Sequence, residues 1–287
     1  MPAVRGARPI RNSEVLDFHN SLQLKDISLE EYTNTFREWI NYSEDKSLKG
    51  LDQFKHADYT QGTSQTFDNF ALKNLHKRQL VAVQGEFQYH RCISKFAEFK
   101  ELRHIHPDFL YGKDLHALII SAPFSDFGCI HPEFEHIMEV CEYFNIPVCL
   151  DLAYWGIAKH VHIDLDKFPC ITEVTCSLSK PFYTLENHRV GVRFTRDYQD
   201  DGISMLNEVK MQNNHSMSLG VEYMKRFSPD YNWIKYKDDY ERVCHNNDLV
   251  WTDTVIFGLG DEERHAEFNR GLPDNYRVCI SEFLGDV

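Results

Sequence analysis

The chain carries no C-x-x-C pair. Its eight cysteines, Cys92, Cys129, Cys141, Cys149, Cys170, Cys176, Cys244 and Cys279, are scattered, several of them inside apolar runs such as IPVCLD and EVTCSLSK. This spacing argues against a zinc or dithiol motif and fits small buried thiols in a reducing compartment. No apolar run reaches the length of a bilayer span, so no membrane partner is expected. The basic N-terminal stretch MPAVRGARPIRN lacks the apolar segment of a secretory signal, and a cytoplasmic location is expected. Basic charge is scarce: 31 Lys and Arg stand against 44 Asp and Glu, for a formal net charge of −13. That balance argues against a general nucleic-acid or anionic-membrane binder and suits plain solubility. Repeats, low-complexity segments and an obvious linker are also missing. Histidine is abundant, at 15 residues, and His104/His106 and His160/His162 alternate as strand neighbours would. No third ligand stands at useful spacing, so no metal is expected.

What is present is ordinary core-forming material, 42% hydrophobic and 26% charged over 287 residues, enough for one large domain or two small ones. The first 55 or so residues look helical and polar. ISLEEYTNTFREWINYSED is the clearest amphipathic piece, and Ser28 with Glu31 makes a capping box. DYTQGTSQTFDNFALKNLHKR reads as a turn-rich start through Gly62 followed by a helix. Strands and helices then alternate. LVAVQG (80–85), HALIISAP (116–123), IPVCLD (146–151), ITEVTCS (171–177) and RVGVRF (189–194) read as strands. FQYHRCISKFAEFKEL (87–102) and PEFEHIMEVCEYFN (132–145) read as helices. Such alternation predicts an α/β fold, a mainly parallel sheet flanked by helices. After residue 200, SMSLGVEYMKRF and DDYERVCHNND look helical, while VWTDTVIFGLG and NYRVCISEFLG look like strands with turns. These features predict a small α+β domain. The expected division is an N-terminal helical segment (1–55) packing on the small domain, a large domain (56–205) and a small C-terminal domain (206–287).

The chemistry concentrates in 171–194, ITEVTCSLSKPFYTLENHRVGVRF. Lys180 follows an apolar, β-branched run, where a strand would end, and Arg189-Val-Gly-Val comes nine residues later. Asp151 ends an earlier strand, with Tyr154 three residues on. Gly85, Asp151 and Lys180 all fall at or just beyond strand ends, where open parallel sheets bind ligands. The order Asp, Tyr, Ser-x-Ser-Lys, Arg matches the needs of pyridoxal phosphate (PLP). Its aldehyde needs a lysine amine. Its ring nitrogen stays protonated beside a buried carboxylate. Its phosphate needs hydroxyls, N–H groups at a helix start and a guanidinium.

ALIISAPFSDFG…HPEFEHIMEVCEYFNIPVCLDLAYWG and VTCSLSKPFYTLENHRVGVRF resemble the fold type I PLP-dependent enzymes, the aspartate aminotransferase-like superfamily with its class I/II aminotransferases. The likeness is clear over roughly residues 55–200. It implies that Lys180 is the Schiff-base lysine, that Asp151 pairs with the pyridine nitrogen, and that Tyr154 contacts the phenolic oxygen. It further implies that Ser177, Ser179 and Arg189 bind phosphate. Gly85 matches the turn whose N–H groups meet the phosphate, with Glu86 and Phe87 opening a helix. Tyr59 matches a tyrosine that reaches the neighbouring subunit's phosphate in a homodimer, and Arg277 the arginine that clamps the substrate α-carboxylate.

The sequence also departs from the family. Only one strand is obvious in the 38 residues from Gly85 to Pro123, so a sheet with fewer strands than usual is expected. The residue stacking on the pyridine ring is open among Phe87, Tyr89 and the His104–Phe109 stretch. Ser125 stands near the family's asparagine, and a serine has the shorter reach. The resemblance implies a PLP-dependent aminotransferase acting on an amino acid and a 2-oxo acid. The alternatives are elimination or decarboxylation at the same cofactor, or a non-catalytic PLP-fold binding protein. The substrate side chain is not readable.

Overall fold

Period-two alternation along the apolar runs decides which side chains meet which helices. The computed structural model describes residues 6–93, 99–103 and 116–287. Its strands are β1 (Ser47–Lys49), β2 (His56–Gln61), β3 (Gln79–Val83), β4 (Phe99–Leu102), β5 (His116–Ser121), β6 (Val148–Asp151), β7 (His162–Asp164), β8 (Ile171–Ser177), β9 (Val190–Thr195), β10 (Val250–Trp251), β11 (Phe257–Gly260) and β12 (Tyr276–Cys279). Among the described residues, seven of them form the central sheet in the order β2-β9-β8-β6-β5-β3-β4. Neighbours from β8 to β4 pair parallel, while β9 runs antiparallel to both β8 and β2.

One face of the sheet presents Leu80, Ala117, Ile119 and Cys149 to the helix Thr63–Asn74. That helix turns Phe67, Phe70 and Ala71 inward at helical spacing, and both phenylalanines are fully buried. Each such side chain contributes about 1.5–3 kcal/mol by leaving water. The other face presents Val81, Val83, Leu118, Ile120, Val148 and Leu150 to the main core. Ile137, Met138 and Cys141 of the helix Phe134–Tyr143 pack there.

The helix Leu29–Asn41 starts at Ser28, whose hydroxyl accepts from Glu31 N at 3.0 Å. It buries Tyr32, Phe36 and Trp39 in the main core beside Met217, Val221 and Tyr223 of the helix Asn214–Arg226. A second core gathers around the three-stranded antiparallel sheet β10-β11-β12 and the helix Tyr231–Asn246, with Tyr236, Tyr240, Phe257 and Val278 inside it. Residues after 206 are thus shared between two cores.

Two stretches depart from the sequence reading. Residues 87–102, read as one helix, contain a short helix at His90–Ile93 and then β4. β4 pairs with β3, giving the sheet a strand the sequence hid. FKEL lacks the β-branched run that marks the other strands, because an edge strand covered on one side needs fewer apolar residues. The start of DYTQG, read as a turn, is β2, an edge strand on β9. His104, His106 and the His104–Phe109 stretch lie outside the described residues.

Buried ion pairs fasten the edges. Arg193 on β9 binds Asp58 on β2 at 2.7 Å and Asp201 at 2.6 Å, with its side chain fully buried. Lys46 is buried against Asp230, and Lys73 pairs with Glu173. His160 sits between Asp45 and Asp253, while His162 meets Ser47, so the two histidines serve separate contacts. Among the described residues, no three His, Cys, Asp or Glu groups could hold a metal, and no helix is long and apolar enough to cross a membrane.

Candidate functional site

The same alternation that faces Ile119 and Cys149 toward the helix Thr63–Asn74 also puts Ser121 and Asp151 on that face, at the C-terminal ends of β5 and β6. The two are register partners on adjacent parallel strands. Ser177 ends β8 with the same facing as Thr175, whose hydroxyl meets Thr66 of the helix at 3.0 Å. The polar strand ends and the helix N-terminus therefore converge, and a cavity of about 300 Å³ opens between them. Asp151, Tyr154, Ser177, Ser179, Lys180 and Arg189 line it, as do Phe87 and Ser125. With Tyr89, nine of the residues singled out in the sequence thus line one cavity.

Lys180 is largely buried, and burial lowers its pKa, with Arg189 and Arg277 adding a like-charge push. Its amine donates to the carbonyl of Ala7 at 2.7 Å, which ties the N-terminal segment to this side chain. Asp151 is 5% exposed and accepts from Ala153 N at 2.9 Å. Burial, and after it the nearby Glu86, push its pKa well above the carboxylate range. The Ser179 hydroxyl is buried without a hydrogen-bond partner among the described residues. A buried orphan on a cavity wall marks a place for a ligand atom.

Thr63 and Ser64, which the sequence reading missed, bring the start of the helix Thr63–Asn74 to the cavity. Its N-cap is Gly62, at φ 74° and ψ 175°, with no side-chain cap bond. Uncapped N–H groups and the positive end of the helix dipole make an anion site. Arg189 closes it, donating from Nη2 to Ser64 Oγ at 2.8 Å. A Cβ on Gly62 would lie 2.6 Å from that guanidinium. Arg189 itself adopts φ 56°, the left-handed region that side chains avoid, and such strain concentrates at binding sites. A motif reading that also weighed Gly-Thr-Ser at a helix start would have found this end of the cavity.

Tyr89, Ser121, Ala153 and Glu186 complete the lining. The rings of Phe87 and Tyr89 stack, with centroids 5.9 Å apart and planes 16° apart. Both were among the sequence candidates for a ring-covering aromatic. Tyr154 packs edge-to-face on Phe257 of the second core.

Four residues from the sequence reading stand elsewhere. Gly85 and Glu86 do not line the cavity, and two N–H groups of their turn are already taken: Glu86 N donates to Val83 O at 3.1 Å and Phe87 N to Glu86 Oε2 at 3.0 Å. The uncapped N–H groups at the cavity are those of Thr63–Asn74 instead. Tyr59 does not line the cavity; it points inward, 4% exposed and packed on Tyr32 with its hydroxyl 3.4 Å from Arg189 O. Arg277 stands behind the cavity wall, over the ring of Phe257, and donates to the Ser125 carbonyl. Arg270, missed in the sequence, lies beside it, 3.2 Å from Asp126 and 3.4 Å from Ser125 Oγ. The two arginines hold the loop that carries Ser125.

No protein-family model matches the sequence, and no curated protein sequence matches it. Solved structures do match in three dimensions. A PLP-bound C-S lyase from Staphylococcus hominis superposes with a TM-score of 0.70 at 12% identity, over 95% of this chain and 84% of that one. Alanine aminotransferase from Pyrococcus furiosus gives 0.67 at 14% identity, over 96% and 85%. A PLP-bound putative aminotransferase from Clostridium difficile 630 gives 0.67 at 11% identity, over 93% and 83%. At these identities the likeness establishes the fold: a PLP-transferase-type large sheet with a small antiparallel sheet beside it, in a chain somewhat shorter than its structural neighbours.

Proposed function

We propose that this chain is a PLP-dependent enzyme that exchanges an amino group between an amino acid and a 2-oxo acid. The observation that carries the proposal is the single cavity that gathers Lys180, Asp151, Ser177, Ser179 and Arg189 at the C-terminal ends of β6, β8 and the start of β9. The cavity's donors fit the cofactor group by group, including the orphaned Ser179 hydroxyl and the uncapped helix start. When bound, PLP supplies an electrophilic aldehyde and an aromatic ring able to take up negative charge from the substrate.

The chain's own groups then divide the work. The N–H groups at Thr63 and Ser64, the hydroxyls of Ser177 and Ser179, and the Arg189 guanidinium bind the phosphate. Phe87 and Tyr89 would cover one ring face and exclude water from it. Tyr154, and Ser125 at shorter reach, would serve the phenolic oxygen. Asp151 would hold a proton toward the ring nitrogen. Lys180, its amine made easier to deprotonate by burial, would hold the aldehyde once its bond to the Ala7 carbonyl is given up. With a substrate amine in its place, the free Lys180 Nζ would be the base for the substrate Cα proton.

The same base would serve an elimination, and the likeness to a C-S lyase keeps that reading alongside transamination. We also propose a homodimer, resting on the resemblance alone; light scattering that returns a monomer mass would reject it. Purified protein mixed with PLP should show a visible absorption band that Lys180→Ala removes. A colourless wild type under those conditions refutes the cofactor and the reaction together. With the band present, bleaching by single amino acids and recovery with a 2-oxo acid identify transamination. Release of ammonia or thiol without recovery identifies elimination.

A further inference from the structure

Glu86 lies outside the cavity wall, yet it is 4% exposed and tightly held. Its hydrogen-bond donors are all neutral, Ser121 N at 2.6 Å, Ser121 Oγ at 2.8 Å to both carboxyl oxygens, and Phe87 N at 3.0 Å, while the Arg270 guanidinium acts on it from further away and favours its charge. Ser121 is the register partner of Asp151. The anchor therefore fixes Glu86 against a residue about 4.8 Å, one strand spacing, from the Asp151 backbone. An apolar side chain in this place would avoid the desolvation of a carboxyl, so the charge calls for a reason. The two acids are also unequal. Glu86 accepts from several donors, which favour its ionised form, whereas Asp151 accepts from the Ala153 N–H and opens on the cavity. Burial raises Glu86 to about 7 against those bonds, and burial, with Glu86 adding to it, also pushes Asp151 up. Of the pair, Asp151 is the better place for a proton and Glu86 for a charge.

The geometry points to Glu86 as a positioning residue for Asp151: anchored through Ser121, it sets a second negative charge behind the first, so that Asp151 gives its proton to a basic aromatic nitrogen in the cavity and holds it there. The Asp151 O–H bond breaks, the ring N–H bond forms, and the carboxylate left behind pairs with the cation it has made. No other reactant is needed. The inference rests on the PLP reading, and its test separates the two.

The probes are PLP and its 1-deaza analogue, in which a C–H replaces the ring nitrogen, with each dissociation constant measured by fluorescence quenching at about pH 8, above the Glu86 value of about 7. Wild type should prefer PLP, and Glu86→Gln should cut that preference roughly tenfold, the factor of one pKa unit, while the analogue binds as before. Ser121→Ala, which removes the hydroxyl bonds to Glu86 but keeps the backbone N–H bonds and the acid, should shift the preference in the same direction by less, and it decides the matter if Glu86→Gln does not fold. An unchanged preference in the variants overturns the inference and leaves the cofactor reading intact. Equal weakening of both ligands shows a merely structural role and overturns it as well. A wild type that binds neither ligand overturns the cofactor reading on which the inference stands.

Discussion

Gly62→Ala is expected to damage stability and anion binding together, and the backbone says by how much. Gly62 adopts φ 74° and ψ 175°, a region that only glycine enters freely. Holding another residue there costs about 1–3 kcal/mol. The added methyl would also stand 2.6 Å from Arg189 Nη2 and 2.9 Å from Cζ. A guanidinium at the end of a flexible side chain can move aside, but only by leaving Ser64 Oγ, now 2.8 Å away. A hydrogen bond to a charged group is worth about 1.5–3 kcal/mol, so affinity for inorganic phosphate or PLP should fall roughly tenfold or more. There is little room for the backbone to shift in compensation. Gly191 of β9 packs so closely that its own Cβ would come 2.7 Å from Gly62 Cα. Urea unfolding, read as a change in midpoint at constant slope, measures the first effect and isothermal titration the second. Gly202→Ala is the control: it begins a helix behind the Asp201 cap, with open space around its Cα. It should be neutral or stabilise by about 0.4–1 kcal/mol through the unfolded chain. If Gly62→Ala unfolds within about 0.5 kcal/mol of wild type, the ordinary scatter of harmless surface changes, the argument from backbone and crowding is refuted.

Arg193→Met should destabilise by about 3–5 kcal/mol, because it strands Asp58 and Asp201 without their buried partner; urea unfolding checks it. Tyr32→Phe should lose about 1–1.5 kcal/mol, since the phenol donates to the Gly191 carbonyl at 2.7 Å in a fully buried place. Burial alone would raise Asp201 and Asp230, but Arg193 and Lys46 outweigh it and hold both below the usual carboxylate range. Their contribution is full above the unfolded value of about 3.9 and disappears as pH falls through the lower folded values, so the further loss of stability below about pH 4 should be smaller in Arg193→Met and in Lys46→Met than in wild type. Glu86 acts in the opposite sense. Its folded value is raised by burial, so its contribution is full below the unfolded value of about 4.3 and is lost as pH rises through about 7. Ligand-free Glu86→Gln should therefore lose less stability than wild type between about pH 5 and 8, read by chemical unfolding at each pH.

The parts of the fold legible in the sequence are those whose local pattern and final environment agree. β5 and β6 are buried on both faces and read as apolar runs, and β8 as a β-branched one. The helix Leu29–Asn41 carries its own cap at Ser28. β2 and β4 were not legible, because edge strands need fewer apolar residues and their partners come from distant segments. At the site, Lys180, Asp151, Tyr154, Ser177, Ser179 and Arg189 were legible as a series of strand-end polar groups after apolar runs. Gly85 does not line the cavity, and the sequence could not show this, because a glycine after a strand looks the same whether its N–H groups face a ligand or its own backbone. Only the hydrogen bonds of Glu86 and Phe87 decide that, and they point inward.

The sequence by itself determined the alternating α/β architecture and the order of Asp, Tyr, Ser-x-Ser-Lys and Arg, since each follows from residue type and short spacing. The tertiary structure alone decided which helix start meets the cavity, that Tyr59 and Arg277 stand off its lining, and that Glu86 bonds Ser121, the strand neighbour of Asp151. The physical reason is register: Ser121 and Asp151 are thirty residues apart in the chain and side by side on the sheet, and no local pattern records how neighbouring strands are aligned.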